Sequence, residues 1–111
     1  MIFITGPLYS GKREYACQVL GCKMSELAER AVWDVQELAG DCGDLPALAD
    51  KLAEKDAVIA TEVGGGVVPI DAGERAAREA AGRLSCLLAQ RADRVVRVFC
   101  GLPLELKGGA S

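Results

Sequence analysis

Residues 2–12 read Ile-Phe-Ile-Thr-Gly-Pro-Leu-Tyr-Ser-Gly-Lys, and this stretch decides the fold. The first four residues predict a short strand buried on both faces, as in a parallel sheet covered by helices. The pattern G-x-x-x-x-G-K follows the strand and precedes a helical segment, which is the setting of a phosphate-binding loop. Glycines let successive backbone N–H groups converge on phosphate, and the lysine reaches the terminal phosphates. We therefore predict a nucleoside triphosphate site made of Gly6, Pro7, Leu8, Tyr9, Ser10, Gly11, Lys12 and Arg13.

Arg13 is the one departure from that pattern, because Ser or Thr at this position normally gives magnesium a hydroxyl ligand. A guanidinium cannot bind a cation and adds only positive charge near phosphate. The sequence thus predicts that anion binding is retained and leaves metal-assisted phosphoryl transfer open.

Strand and helix patterns alternate along the rest of the chain, which predicts an α/β fold with a mainly parallel sheet of about four strands. We expect a three-layer, P-loop NTPase-like domain over 1–107 and a frayed tail at 108–111. Ser25 and Asp44 are the predicted caps of the second and third helices, and Asp71 that of the fourth. The last helix should bury Ala76, Ala80, Leu84 and Leu87. Predicted strands are 2–5, 31–33, 57–61 and 94–100; predicted helices are 12–20, 25–30, a segment from Asp44 through Leu52, and 71–91, with a helix over 26–38 as the alternative to the second strand.

Two acidic residues follow predicted strands, where open α/β sheets bind their ligands. Asp34 fits either a magnesium-associated acid or a solvated strand end. Glu62 is a candidate catalytic residue, as a base toward a substrate hydroxyl or as a metal ligand. The glycines Gly64, Gly65 and Gly66 fit a flexible turn or a substrate-binding lid. Arg78 is a candidate for substrate binding, although Glu74 four residues earlier also fits ordinary pairing on a helix surface.

Composition narrows the function classes further. The net charge is −3 and the pI is about 4.9, which argues against a nucleic acid or an anionic membrane as the main partner. The apolar runs are too short to cross a bilayer. Five cysteines without a C-x-x-C pair, and no secretory signal, predict reduced thiols in the cytoplasm. The chain has no histidine, which excludes imidazole chemistry and leaves a zinc site only distant cysteines or carboxylates.

Several segments match, in order, the motifs of one enzyme family. They are S-G-K at 10–12 (family S-G-K-S), T-E-V-G-G-G-V-V-P at 61–69 (N-E-V-G-x-G-I-V-P), R-E-A-A-G-R-L-S at 78–85 (R-D-x-x-G-R-L-N), A-D-R-V at 92–95 (A-D-x-V) and G-L-P-L-E-L-K at 101–107 (G-x-P-x-x-L-K). The chain thus resembles the adenosylcobinamide kinase/adenosylcobinamide-phosphate guanylyltransferase family of cobalamin biosynthesis. Asp34 is similar in position to the aspartate of that family's V-D-C-L-T-L-W segment.

The resemblance implies a nucleotide site at the loop, a corrinoid-related substrate and a homotrimer. We expect ATP or GTP as the nucleotide, and Mg²⁺ near Asp34 because of its place at the end of a strand. The family's middle segment, with a histidine that becomes guanylylated, is largely absent from this chain. We therefore expect a kinase-like protein that phosphorylates a cobinamide hydroxyl without the guanylyltransferase step. A catalytically inactive nucleotide- or corrinoid-binding partner protein is the alternative, and a kinase of some other alcohol is a third. A sheet this narrow also predicts a homo-oligomer.

Overall fold

The computed structural model describes residues 1–62 and 71–108, and in them a five-stranded sheet carries helices on both faces. The strand order is β2-β3-β1-β4-β5; all neighbours are parallel except β4 and β5. A 3₁₀ turn, Met24–Glu26, precedes the second helix. The strands are β1 Ile2–Gly6, β2 Ala31–Val32, β3 Ala57–Thr61, β4 Arg94–Phe99 and β5 Leu102–Lys107; the helices are α1 Lys12–Leu20, α2 Leu27–Arg30, α3 Gln36–Ala39, α4 Leu45–Leu52 and α5 Ala72–Arg91.

Strand β1 occupies the middle of the sheet, and its side chains divide the core in two. Ile2 and Ile4 pack with α1 and α2 on one face, whereas Phe3 packs with α3, α4 and α5 on the other. All three are almost fully buried, as the apolar run predicts for a strand covered on both sides. The predicted α/β fold with a mainly parallel sheet is confirmed.

Helix α1 has the predicted bounds because a glycine in left-handed conformation stands at each end. Gly11 has φ 92° and Gly21 has φ 67°. Past the last turn, the backbone N–H groups of Gly21 and Cys22 both donate to the carbonyl oxygen of Cys17. Donation from the second residue past the helix end is the Schellman arrangement, in which that residue's side chain meets the last turn.

The side-chain caps of α4 and α5 are confirmed. An Asp44 carboxylate oxygen accepts from the Ala47 N–H at 3.1 Å, and one of Asp71 accepts from the Glu74 N–H at 2.7 Å. Each carboxylate satisfies a donor that the first helical turn leaves without a backbone partner.

Several expectations about local structure were wrong. The sheet has a fifth strand, β5, because residues 102–107 turn back and pair antiparallel with β4. Ser25 does not cap its helix; the turn starts from Lys23, whose N–H donates to Glu26. Ala80 and Leu84 of α5 are buried as predicted, together with Ala81 and Leu88, whereas Leu87 is half-buried. Ala76 is exposed, because residues 71–77 at the start of the helix are all exposed.

A tight turn joins β4 to β5. Its two residues, Cys100 and Gly101, have φ values of 51° and 75°. Two successive positive φ values are the mark of the type I′ turns that connect hairpins. Across this ribbon, Arg94 pairs with Glu105 and also donates to the Tyr15 hydroxyl of α1. The edge strand is thereby tied to the helix that follows the glycine loop.

Within residues 1–62 and 71–108, no helix is long and apolar enough to cross a membrane. The glycines at 64–66 and the end of the predicted tail, 109–111, lie outside the described residues.

Candidate functional site

The glycine loop starts at Gly6, which no other residue can replace without moving its neighbours. Gly6 has φ 152°, and a Cβ there would lie 2.2 Å from the Val98 carbonyl oxygen and 2.9 Å from Ser10 Oγ. The Gly6 carbonyl accepts from the Glu62 N–H at 2.9 Å. The loop therefore leaves the sheet wedged between the ends of β3 and β4.

Lys12, the first residue of α1, is buried and points its ammonium group into the loop. Nζ donates to the Pro7 carbonyl at 2.6 Å and to Ser10 Oγ at 3.4 Å. Burial is the main cause that lowers the pKa of Lys12, and it outweighs the opposing fields of Asp34 and Glu62. An ammonium group short of solvation gains from an anion placed beside it, which suits the loop to phosphate.

The tip of the loop is open, whereas its base is fixed. Tyr9 is 94% exposed and takes a left-handed conformation with φ 60°. At the base, the Ser10 carbonyl accepts from the Gly101 N–H of the β4–β5 turn at 2.8 Å. Gly11 lies against the same glycine, since a Cβ on Gly11 would be 3.5 Å from Gly101 Cα. The hairpin thus supports the loop from beneath.

A cavity of about 360 Å³ opens beside the loop. Its volume is in the range of sites that hold small ligands. Loop residues form one wall, and residues that follow β2 and belong to β3 form the other. The described lining residues are Leu8, Tyr9, Ser10, Gly11, Lys12, Arg13, Glu14, Trp33, Asp34, Ile59 and Thr61.

Arg13 and Trp33 both line this cavity and contact each other. The guanidinium carbon of Arg13 lies 5.7 Å from the centre of the Trp33 ring. That distance is within the range of cation–π contacts. The contact holds the guanidinium of Arg13, the residue at the sequence position of the usual magnesium-binding hydroxyl, over the Trp33 ring. Sequence reasoning noted Arg13 and missed Trp33, since a single aromatic residue at the end of a two-residue strand gives no pattern.

Asp34 lies on the opposite wall, exposed and in a left-handed conformation with φ 57°. Its Oδ1 accepts a long hydrogen bond of 3.5 Å from the Thr61 hydroxyl at the end of β3. A carboxylate and a hydroxyl are oxygen donors of the kind that Mg²⁺ prefers, and magnesium sites often use one or two protein carboxylates together with substrate phosphates. The donor set therefore fits magnesium bound jointly with a nucleotide.

Glu62 follows β3 and forms a two-point ion pair with Arg97 of β4. Arg97 Nε donates to one carboxylate oxygen at 2.7 Å and Nη2 donates to the other at 2.9 Å. This hydrogen bonding is the main cause that lowers the pKa of Glu62, and Lys12 adds to it. Arg97 was missed in the sequence, although an arginine inside the valine-rich strand R-V-V-R-V-F is itself a signal.

The predicted site residues meet only in part. Lys12, Arg13 and Asp34 line one cavity, and Glu62 is close enough to Lys12 that each influences the other's pKa. Arg78, on α5, is not among the described lining residues. Within 1–62 and 71–108, no three His, Cys, Asp or Glu side chains cluster to hold a metal ion by themselves.

Comparison with protein-family models gives one match. The model described as cobinamide kinase/cobinamide phosphate guanyltransferase matches residues 23–106, about three quarters of the 111-residue chain. This chain belongs to that family. The assignment confirms the resemblance noted in the sequence and connects the chain with cobinamide kinase and guanyltransferase chemistry in cobalamin biosynthesis, whose substrates are nucleoside triphosphates and corrinoids. A search of curated proteins finds no match.

The family match begins after the glycine loop, so the loop is identified by its own motif and geometry. The matched residues contain Asp34, Glu62, Arg78 and Arg97. The family assignment and the loop therefore support a nucleotide site through different parts of the chain.

Proposed function

We propose that this family member is an adenosylcobinamide kinase-like enzyme. The acceptor hydroxyl oxygen of a cobinamide bonds to the γ-phosphorus of ATP or GTP, the bond to the β–γ bridging oxygen breaks, and the hydroxyl proton is released. The buried Lys12 ammonium, aimed into the loop at 2.6 Å from the Pro7 carbonyl, is the observation that carries the proposal. The chain has no histidine, so the guanylyltransferase step through that residue is absent from the proposed activity.

Lys12 and the backbone amides of residues 6–13 would bind the phosphates and stabilise charge on the transferred group. Asp34 would hold Mg²⁺, whose charge helps to neutralise the phosphates when it is bound. These roles use positioning and electrostatics, which are the main requirements of phosphoryl transfer.

Glu62 would orient the acceptor hydroxyl rather than remove its proton. Both of its oxygens already accept from Arg97, and its pKa is lowered, so it is a weak base. Each carboxylate oxygen still has acceptor capacity for a hydroxyl. We include Gly64, Gly65, Gly66 and Arg78 in the proposed cobinamide-binding region.

The alternative is a catalytically inactive protein that binds a nucleotide or a corrinoid and acts as a partner of another protein. Arg13 favours it, because this residue stands at the sequence position of the usual hydroxyl ligand of magnesium and its guanidinium lies over Trp33. Without that ligand, nucleotide binding is retained more readily than transfer.

We also propose a cytoplasmic homo-oligomer, a trimer as the family resemblance implies. The supporting observation is β5, an edge strand whose Leu102, Leu104 and Leu106 are 70%, 58% and 56% exposed. A row of apolar side chains on an unpaired edge is a surface that another subunit can cover.

The deciding experiment incubates the full chain with adenosylcobinamide, Mg²⁺ and either ATP or GTP, and detects the phosphate ester by mass spectrometry. Nucleotide binding is measured in parallel by calorimetry. Lys12→Met should abolish product formation and weaken nucleotide binding on the order of 100-fold, whereas Lys51→Met, on the surface of α4, should change neither. Binding without product with either nucleotide would reject the kinase and support the binding protein. Absence of nucleotide binding would contradict the kinase and leave only a corrinoid-binding protein as the alternative.

A further inference from the structure

The end of α1 opposite the glycine loop brings two cysteines together. In a Schellman ending, the second residue past the helix contacts a side chain of the last turn. Here those residues are Cys22 and Cys17, joined by the hydrogen bond from the Cys22 N–H to the Cys17 carbonyl at 3.1 Å. Both side chains pack against the same buried core cluster beneath α1. The backbone therefore fixes the pair, independently of any disulfide.

A third sulfur completes the cluster. Cys17 Sγ lies 4.0 Å from Met24 Sδ, which the following 3₁₀ turn positions. The cysteines are half-buried against the core under α1, and Met24 is exposed on the solvent side. We call Cys17, Cys22 and Met24 the sulfur cluster.

The distance between Cys17 Sγ and Met24 Sδ, 4.0 Å, matches that between two ligands of a metal with three sulfur ligands. Metal–sulfur bonds of about 2.3 Å in a trigonal plane place two sulfurs roughly 4.0 Å apart. Thiolate and thioether ligands together select soft cations, of which Cu(I) is the example that accepts both.

Zinc fits this cluster poorly, because it takes four ligands and rarely a thioether. The chain has no histidine, and no three His, Cys, Asp or Glu side chains of residues 1–62 and 71–108 group as a metal site.

We propose that the sulfur cluster is a binding site for a single Cu(I) ion, held by the thiolates of Cys17 and Cys22 and the thioether of Met24. Each thiol that binds loses its proton as its S–H bond is replaced by an S–Cu bond, and no electron is transferred.

The proposal does not depend on the proposed kinase activity. Lys12 and the cavity lie at the start of α1, and the sulfur cluster lies at its end. A chain that lacks kinase activity would still bind copper, and failure of copper binding would leave the kinase proposal unchanged.

The test measures Cu(I) affinity by anaerobic competition with bicinchoninate. The starting protein carries Cys42→Ser, Cys86→Ser and Cys100→Ser, because these thiols would otherwise compete and the first two line one cavity. We expect one equivalent of Cu(I) to bind. Adding Cys17→Ser or Cys22→Ser should weaken binding by at least about 100-fold, since even residues that only support a metal ligand are worth 10–100-fold.

Met24→Leu should weaken binding by about tenfold, as a single neutral ligand is lost. X-ray absorption should count three sulfurs around copper in the starting protein and two in Met24→Leu. Circular dichroism confirms that each variant folds. No binding at one equivalent, unchanged affinity in Cys17→Ser, or tighter binding of Zn²⁺ than of Cu(I) would overturn the proposal; an unchanged sulfur count in Met24→Leu would also overturn it.

Discussion

The glycine loop and the edge strand β5 both meet the carboxyl end of β4, yet they are built in opposite ways. In the loop, the Gly6 backbone packs against the Val98 carbonyl, and the charged side chain of Lys12 is buried. In β5, all six residues are exposed, and the strand is held by pairing with β4 and by hydrogen bonds from Lys107 Nζ to the carbonyls of Ala89 and Gln90 at the end of α5. Close packing at the centre of the sheet creates the polar site, and the loosely held edge leaves apolar surface for association.

The largest expected effect on the tightly packed loop comes from a substitution at Gly6. Gly6→Ala places a Cβ 2.2 Å from the Val98 carbonyl oxygen in a conformation that favours glycine. We expect a loss of about 3 kcal/mol or more in the free energy of unfolding, measured by urea denaturation. Gly82→Ala, in α5 with open space around it, is the matched control and should add about 0.5–1 kcal/mol. Equal stability of the two variants would show that the loop is not tightly packed.

Lys12→Met separates binding from folding at the same site. We expect nucleotide affinity to fall on the order of 100-fold, because a charge-assisted contact to phosphate is worth about 1.5–3 kcal/mol. The unfolding temperature should be unchanged or higher, since burial lowers the pKa of this lysine and so disfavours its charged form in the fold. Calorimetry and thermal unfolding measure the two effects. A strongly lowered unfolding temperature would instead make Lys12 a structural residue.

On the edge strand, the same logic predicts an effect on assembly and little on folding. Leu102→Glu combined with Leu104→Glu should weaken self-association at least about tenfold by placing like charges in the interface. Light scattering at several concentrations measures the change. Leu38→Glu makes the same change at an exposed leucine of α3, outside the edge strand, and should not affect self-association. A wild-type chain that is monomeric at micromolar concentration would contradict the proposed oligomer.

Arg13→Ser tests whether the cation over Trp33 limits the use of magnesium. The serine restores the usual hydroxyl ligand, so magnesium-dependent affinity or turnover should rise a few-fold. Titration of Mg²⁺ in the nucleotide-binding assay measures it. Unchanged magnesium dependence would mean that the metal is held elsewhere.

The smallest expected effect concerns Glu62 and Arg97. The pKa of Glu62 is held below its ordinary value of 4.5, so the pair stabilises the fold above that pH and less as pH falls through the lowered value. Arg97→Gln should slightly reduce the loss of stability on acidification below pH 4.5, because the side chains of Arg97 and Glu62 are partly exposed and water screens the pair. Unfolding temperatures from pH 6 to pH 3 test this. If the variant and the wild-type chain lose stability equally on acidification, other carboxylates cause the loss.

Local patterns predicted the centre of the fold and were less informative at its edge. The buried run of β1, the glycines around α1 and the caps Asp44 and Asp71 each act within a few residues, and the structure has them as expected. Strand β5 is not buried, so its alternating leucines lacked the apolar run by which the other strands were recognised.

Contacts between distant segments explain most of what was missed in the site. Arg97 and Glu62 are 35 positions apart in the chain. They pair across β1, because the strand order places β1 between β3 and β4. Trp33 meets Arg13 only because β2 and α1 approach the same cavity. Hydrophobic periodicity along the sequence does not indicate these pairs, because their members lie far apart in the chain.

The turn at Cys100 and Gly101 has a thermodynamic consequence, because its Gly101 N–H is the donor to Ser10 in the loop. One hydrogen bond of 2.8 Å thus connects the segment that would sense phosphate with the ribbon that would sense a neighbour. Coupling between two binding events is reciprocal. By whatever factor a bound anion strengthens or weakens assembly through this turn, assembly changes the affinity for the anion by the same factor.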